Sequence, residues 1–132
     1  MLPNYLYFYI IGNMETKNIV QALGALAQES RLAIFRLLVQ AGSTGMPVGA
    51  IAQALALPNA TLSFHLKELT LAQLTVATPV GRSIIYSANF VTVTQVLAYL
   101  TENCCQGVPC ATVEIASVCE PKSKPRRSIL KP

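Results

Sequence analysis

Apolar residues recur at helical spacing along most of the chain, and the period changes once. Over residues 16–27, Ile19, Leu23 and Leu26 stand three to four apart, which predicts a first helix. Ser30 is placed to cap a second helix, in which Leu32, Phe35, Leu38 and Val39 form the apolar face. The run Gly42-Ser43-Thr44-Gly45 stops it, and Pro47 suits the opening of a third helix with Ile51 and Leu55 inward. Leu57-Pro58-Asn59-Ala60 then interrupts the pattern, because a proline biases the residue before it away from helical geometry. A fourth helix follows over about 60–72, with Asn59 positioned to cap it. Leu62, Leu66 and Leu69 fall at i, i+4 and i+7 and face inward, leaving Thr61, Ser63, His65 and Lys67 to face elsewhere. After Leu74 the period becomes two. Thr75-Val76-Ala77-Thr78 and Ser83-Ile84-Ile85-Tyr86 flank Pro79-Val80-Gly81-Arg82, which predicts a β-hairpin with a basic tip. From about Phe90 the helical period returns with Val93, Val96, Leu97 and Leu100.

Two short helices around a tight turn, then a hairpin, then a closing helix give a mainly α fold with a β-hairpin, in the order of a winged helix-turn-helix. In that arrangement the second helix of the pair lies in the major groove of DNA while the first crosses the backbone. Asn59, Thr61, Ser63 and His65 supply short hydrogen-bonding groups for base edges or phosphates, and Lys67 a cation for a phosphate. Arg82 suits a minor-groove or backbone contact from the hairpin tip. The plain alternative is that these residues are only the solvated face of an amphipathic helix.

Length and charge bound this picture. A chain of 132 residues fits one domain with one core. It has no apolar run long enough to cross a membrane. The apolar, aromatic residues 1–13 lack the basic start and small-residue cleavage site of a signal peptide. They read as an N-terminal extension, with Met14 a second candidate start. The formal net charge is +4, but Lys122, Lys124, Arg126, Arg127 and Lys131 all lie at the C-terminal end. Lys17, Arg31, Arg36, Lys67 and Arg82 are offset by Glu15, Glu29, Glu68, Glu102 and Glu114. The folded body is close to neutral, so DNA binding has to rest on where its few charges sit. The expected organisation is an extension over 1–13, a DNA-binding and dimerisation domain over 14–103, a cysteine-bearing segment over 104–119, and a basic disordered tail over 120–132.

The residues also carry a resemblance. Ala25-Leu26-Ala27-Gln28-Glu29-Ser30-Arg31-Leu32-Ala33-Ile34-Phe35-Arg36-Leu37-Leu38 resembles the opening of the ArsR/SmtB family of metal-responsive repressors. Ser63-Phe64-His65-Leu66-Lys67-Glu68-Leu69 is similar to that family's recognition-helix signature, and Gly81-Arg82 followed by Tyr86 to its wing. The resemblance covers roughly residues 16–100. It implies a homodimer built from the first and last helices, holding double-stranded operator DNA until a metal or metalloid binds. Many members carry Cys-x-Cys on the helix before the recognition helix. Here the matching stretch Val48-Gly49-Ala50-Ile51-Ala52 has no cysteine, so a soft-metal sensor has to lie elsewhere.

The four cysteines, Cys104, Cys105, Cys110 and Cys119, cluster near the C-terminus. A secreted disulfide scaffold spreads its cysteines; clustering in a chain with no signal peptide predicts a soft-metal or redox site in a reducing cytoplasm. Adjacent cysteines bridge each other poorly but can both bind one large soft ion. Gly107 and Pro109 can turn the chain so that Cys110 returns as a third thiolate. Three sulfurs without a nearby histidine disfavour tetrahedral zinc and select softer acceptors. Trivalent arsenic, as arsenite, or antimony, as antimonite, fits three sulfurs; no organic cofactor is implied. The cluster resembles that of arsenite-responsive family members whose cysteines follow the last helix. Cys119 reads as a spare thiol, because its longer loop costs more to close. Another soft metal, thiol oxidation and a protein-docking winged helix are the competing readings. Catalysis is not expected: there is no Cys-x-x-Cys, and the only histidine, His65, sits on the helix assigned to DNA.

Overall fold

The computed structural model describes residues 14–107. The expected extension over 1–13, the tail, Cys110 and Cys119 lie outside them. The chain divides into two units, residues 1–102 and residues 103–132. In the first, α1 (Thr16–Leu26) and α2 (Glu29–Ala41) lead through a short 3-10 turn (Gly42–Thr44) into β1 (Met46–Pro47). Then come α3 (Val48–Leu55), α4 (Asn59–Leu71), β2 (Thr75–Val80), β3 (Ser83–Ala88) and α5 (Phe90–Leu100).

The core is assembled from one stripe of each helix. Ile19 and Ala22 of α1, Ile34, Phe35 and Leu38 of α2, Ile51 of α3 and Leu62, Leu66 and Leu69 of α4 are buried together with Leu74, Ala88 and Val96. Ile19, Ile34, Leu38, Ile51, Leu62, Leu66, Leu69 and Leu74 are fully enclosed, each contributing about 1.5–3 kcal/mol of burial. The α2 stripe differs from the one expected: Ile34 is enclosed and Leu32 is exposed.

The helix starts also correct the expected caps. The side chain of Gln28, not Ser30, caps α2, accepting from the Arg31 backbone N–H at 2.8 Å. Pro58 occupies the cap position of α4, and Asn59 is its first helical residue without a side-chain cap bond. Pro47 is an extended residue ahead of α3 and forms part of a strand that the periodicity does not show.

The sheet is antiparallel, in the order β1-β3-β2. Met46 faces Tyr86 and Pro47 faces Ile85 across the short β1–β3 ladder. The hairpin runs from Thr75 opposite Ala88 to Val80 opposite Ser83, so its strands are longer than expected and only Gly81 and Arg82 form the turn. Pro79, lacking an N–H, is accommodated because β2 is an edge strand.

Two polar contacts fasten the end of α4 to the hairpin and α5. Buried Thr92 donates its hydroxyl to the Gln73 carbonyl at 2.6 Å, and Asn89 N–H donates to the Leu74 carbonyl at 2.9 Å. The hydroxyls of Thr70 and Thr75 lie 2.9 Å apart, joining α4 to the first residue of β2. At the other end of the chain order, the Thr16 and Tyr99 hydroxyls meet at 2.7 Å, tying α1 to α5.

Candidate nucleic-acid interface

The turn between α3 and α4 is short because Ala56 adopts a left-handed conformation (φ 52°, ψ 42°) and Leu57 N–H returns to the Ala52 carbonyl. Pro58 then supplies an extended residue from which α4 departs. Leu62, Leu66 and Leu69 anchor α4 to the core, so its opposite side is held rigidly outward. On that side Thr61, Ser63 and Lys67 are all exposed, with Asn59 exposed in the first turn. Ser63 and Lys67 are one turn apart and share a face. Arg82 is exposed in the hairpin turn, which Gly81 makes possible with φ +61°, the left-handed geometry that a two-residue hairpin turn demands at its first central position.

His65 departs from the expectation. It is only 8% exposed, and its buried Nδ1 has no hydrogen-bond partner among the described residues. Its position explains this: it lies three residues after Leu62 and four before Leu69, on the inward side of the helix. As placed, it packs behind the outward face and does not project from it.

Phe64 departs in the opposite sense. The polar pattern of the helix assigns it no role, yet it is 55% exposed in the middle of the outward face, between Ser63 and Lys67. Its place two residues after Leu62 was the available signal, since that spacing turns a helical residue away from the core.

The cations of the described body are few. Lys17, Arg31, Arg36, Lys67 and Arg82 nearly balance Glu15, Glu29, Glu68 and Glu102. Arg31 is committed internally, donating Nε–H to the Ala25 carbonyl at 2.6 Å. Lys67 and Arg82 are the two cations on α4 and the hairpin tip.

A helix-turn-helix domain model matches residues 26–76, which spans α2 to the start of β2. The structure is similar to an ArsR-like transcriptional regulator from Rhodococcus sp. RHA1, at 24% identity over 64% of this chain and 76% of that one, with a TM-score of 0.58. It is also similar to the homodimeric winged helix-turn-helix DNA-binding domain of a possible ArsR-family transcriptional regulator from Mycobacterium bovis. There the identity is 28%, the coverage 64% and 78%, and the TM-score 0.53. HlyU from Vibrio cholerae is 27% identical over 66% of this chain and 97% of its own, with a TM-score of 0.53. No curated protein matches the sequence.

The chain is a winged helix-turn-helix protein. Within that fold α3 and α4 are the helix pair, α4 is its second helix, and the β2–β3 hairpin is the wing. The fold is that of transcriptional regulators and not of an enzyme. No described helix is long and apolar enough to cross a membrane.

The cysteines belong to the second unit. Cys104–Gly107 forms a 3-10 turn in which Cys105 and Gln106 have positive φ. The Cys104 and Cys105 Sγ atoms are 3.4 Å apart, close enough for both to bind one ion with bonds of about 2.3 Å. Cys105 is disulfide-bonded, though not to Cys104, since 3.4 Å is far beyond a sulfur–sulfur bond. Among the described residues no group of three or more potential ligands gathers. Two of the three cysteines expected as ligands are thus adjacent, Cys105 being oxidised, and the third, Cys110, lies outside the described residues.

Proposed function

We propose that this protein is a homodimeric transcriptional repressor of the ArsR type, which binds operator DNA and lets it go when trivalent arsenic or antimony binds its cysteines. The observation that carries the DNA-binding part is the outward face of α4, where Thr61, Ser63 and Lys67 stand exposed beside a wing tipped by Arg82. The match of residues 26–76 to a helix-turn-helix domain and the likeness to the Mycobacterium bovis domain support it.

The dimer is supported by unpaired apolar surface. Val20 and Leu23 on α1, and Val91, Leu97, Tyr99 and Leu100 on α5, are all exposed in the single chain. Two packed helices that leave this much apolar side chain in water invite a second copy. The Mycobacterium bovis domain of the same fold is homodimeric. In a symmetric dimer the two α4 helices would address half-sites about 34 Å apart, one turn of DNA.

For the inducer, Cys104 and, once reduced, Cys105 would provide two soft ligands at compatible spacing, and Cys110 the third. Soft ligation needs thiolates, so the disulfide at Cys105 must be reduced before the ion can bind. The cysteine segment follows α5 directly in sequence, so closing it around an ion would bias the helix expected at the dimer interface. The coupling required is of the usual allosteric size, about 1–3 kcal/mol. In the test, the reduced protein is bound to a duplex selected from a random-sequence pool and titrated with arsenite. Wild type releases the duplex; Cys104→Ser, Cys105→Ser and Cys110→Ser retain it. Release by all three variants would refute the assignment.

The disulfide at Cys105 favours a second reading, in which thiol oxidation itself is the signal. In that case an oxidant alone changes DNA affinity, arsenite has no effect on the reduced protein, and Cys105→Ser abolishes the oxidant response.

A further inference from the structure

The outward face of α4 is not simply polar. Ala60, Phe64, Lys67 and Leu71 fall at i, i+4, i+7 and i+11 and form one exposed stripe, opposite the buried Leu62, Leu66 and Leu69. Phe64 is the largest member of that stripe. Its ring centroid lies 5.6 Å from that of His65 with the planes inclined at 59°, and the ring is otherwise largely uncovered. Long helical side chains lean toward the helix N-terminus, over the preceding turn. Over that turn stands Ala60, whose single methyl cannot cover the ring. An exposed phenylalanine flanked by Ser63 and Lys67 is out of keeping with a solvated face, and nothing within the described chain buries it.

A base edge offers the missing partner. In the major groove thymine alone presents a C5-methyl group, and apolar side chains read it by direct contact. The groups around Phe64 suit the same surface: Thr61 and Ser63 can hydrogen-bond and Lys67 can meet a phosphate, so the face is matched to a duplex and not to an apolar protein groove. A helix that placed these groups in the groove would bring the ring among the base edges.

We infer that Phe64 packs against the C5-methyl of a thymine in each half-site and makes the protein selective for thymine there. The inference rests on the DNA-binding reading of α4. It assigns recognition at this position to shape and apolar contact, with Ser63 and Lys67 fixing the register.

The test uses duplexes selected by the full-length wild-type protein from a random-sequence pool. Each selected thymine is then replaced by deoxyuridine, which lacks only the methyl group. At one thymine per half-site, wild-type affinity falls about fourfold, the equivalent of one methyl group's burial, and about fifteenfold when both half-sites are changed. Phe64→Ala binds the thymine and deoxyuridine duplexes equally. Since Phe64 is exposed, this variant keeps the wild-type circular dichroism and sedimentation. If wild type binds the selected duplex but tolerates deoxyuridine at every position, or if Phe64→Ala still discriminates, the Phe64 inference is overturned and DNA binding stands. If Phe64→Ala dissociates the dimer, the ring belongs to a protein interface and the inference is overturned. If wild type selects no duplex at all, the DNA-binding reading falls and takes the inference with it.

Discussion

The wing is held to the helical body through Gly45, and replacing that residue separates two physical costs. Gly45 ends the turn after α2 and delivers the chain into β1, with φ 67° and ψ −166°. That region of backbone space is essentially open to glycine alone, and an alanine forced into it costs of order 1–3 kcal/mol. A Cβ at this position would also collide with the Tyr86 carbonyl oxygen, and would lie 2.9 Å from Ile85 Cγ2 and 3.0 Å from the Tyr86 carbonyl carbon. The Tyr86 atoms are backbone of β3, the central strand, so they cannot rotate away; relief requires β1 and β3 to part. Overpacking of this kind adds about 1–3 kcal/mol. Gly42 supplies the control. Its backbone is nearly the same, φ 74° and ψ −159°, but a Cβ there meets nothing within 4 Å. Gly42→Ala should therefore carry only the backbone cost, and Gly45→Ala the backbone cost plus the collision, about 2–6 kcal/mol in all. Urea unfolding of both variants, at one fixed protein concentration, reads the difference directly. Equal destabilisation in the two variants would refute the claim that close approach to β3, and not backbone geometry alone, requires glycine at position 45.

Three further outcomes test the interface and its supports. Lys67→Ala and Arg82→Ala should each weaken duplex binding, and each should reduce the slope of log affinity against log salt by about one for every phosphate left without its cation, measured by fluorescence anisotropy across salt concentrations; an unchanged slope would mean that the residue meets no phosphate. Val91→Glu places a charge on the exposed apolar surface of α5 and should shift the protein from dimer to monomer in analytical ultracentrifugation, with little change in helical content. Thr92→Val removes the hydroxyl that bonds the Gln73 carbonyl, and should cost about 0.5–1.5 kcal/mol in urea unfolding, the net worth of one hydrogen bond whose acceptor can turn to water.

The local pattern of the sequence determined most of the fold. Helical and alternating periods placed α1 to α5 and the hairpin to within a few residues, because each depends on neighbours close in the chain. The same pattern set the rotation of α4 about its axis: the leucines at 62, 66 and 69 define the inward side without reference to the rest of the molecule. That setting already turned His65 inward and Phe64 outward. Residue type suggested the reverse for both, a polar histidine on the surface and a phenylalanine without a role at the groove, and the structure follows the spacing. Ser30 and Asn59 show the same limit at helix ends, where the chemistry of a good cap was present one or two positions from where the helix begins.

Tertiary structure alone decided how distant segments join. β1 is two residues long and carries no periodicity of its own; it exists because Met46 and Pro47 reach Tyr86 and Ile85 about forty positions later. The choice of Ile34 over Leu32 for the core, and the Thr92 bond that fastens α5 to the chain just after α4, depend likewise on which elements meet. The sequence by itself could therefore name the second helix of the helix-turn-helix and its inward side. Only the packed structure could say how far each of its side chains is left uncovered, because exposure is a property of what the rest of the chain covers.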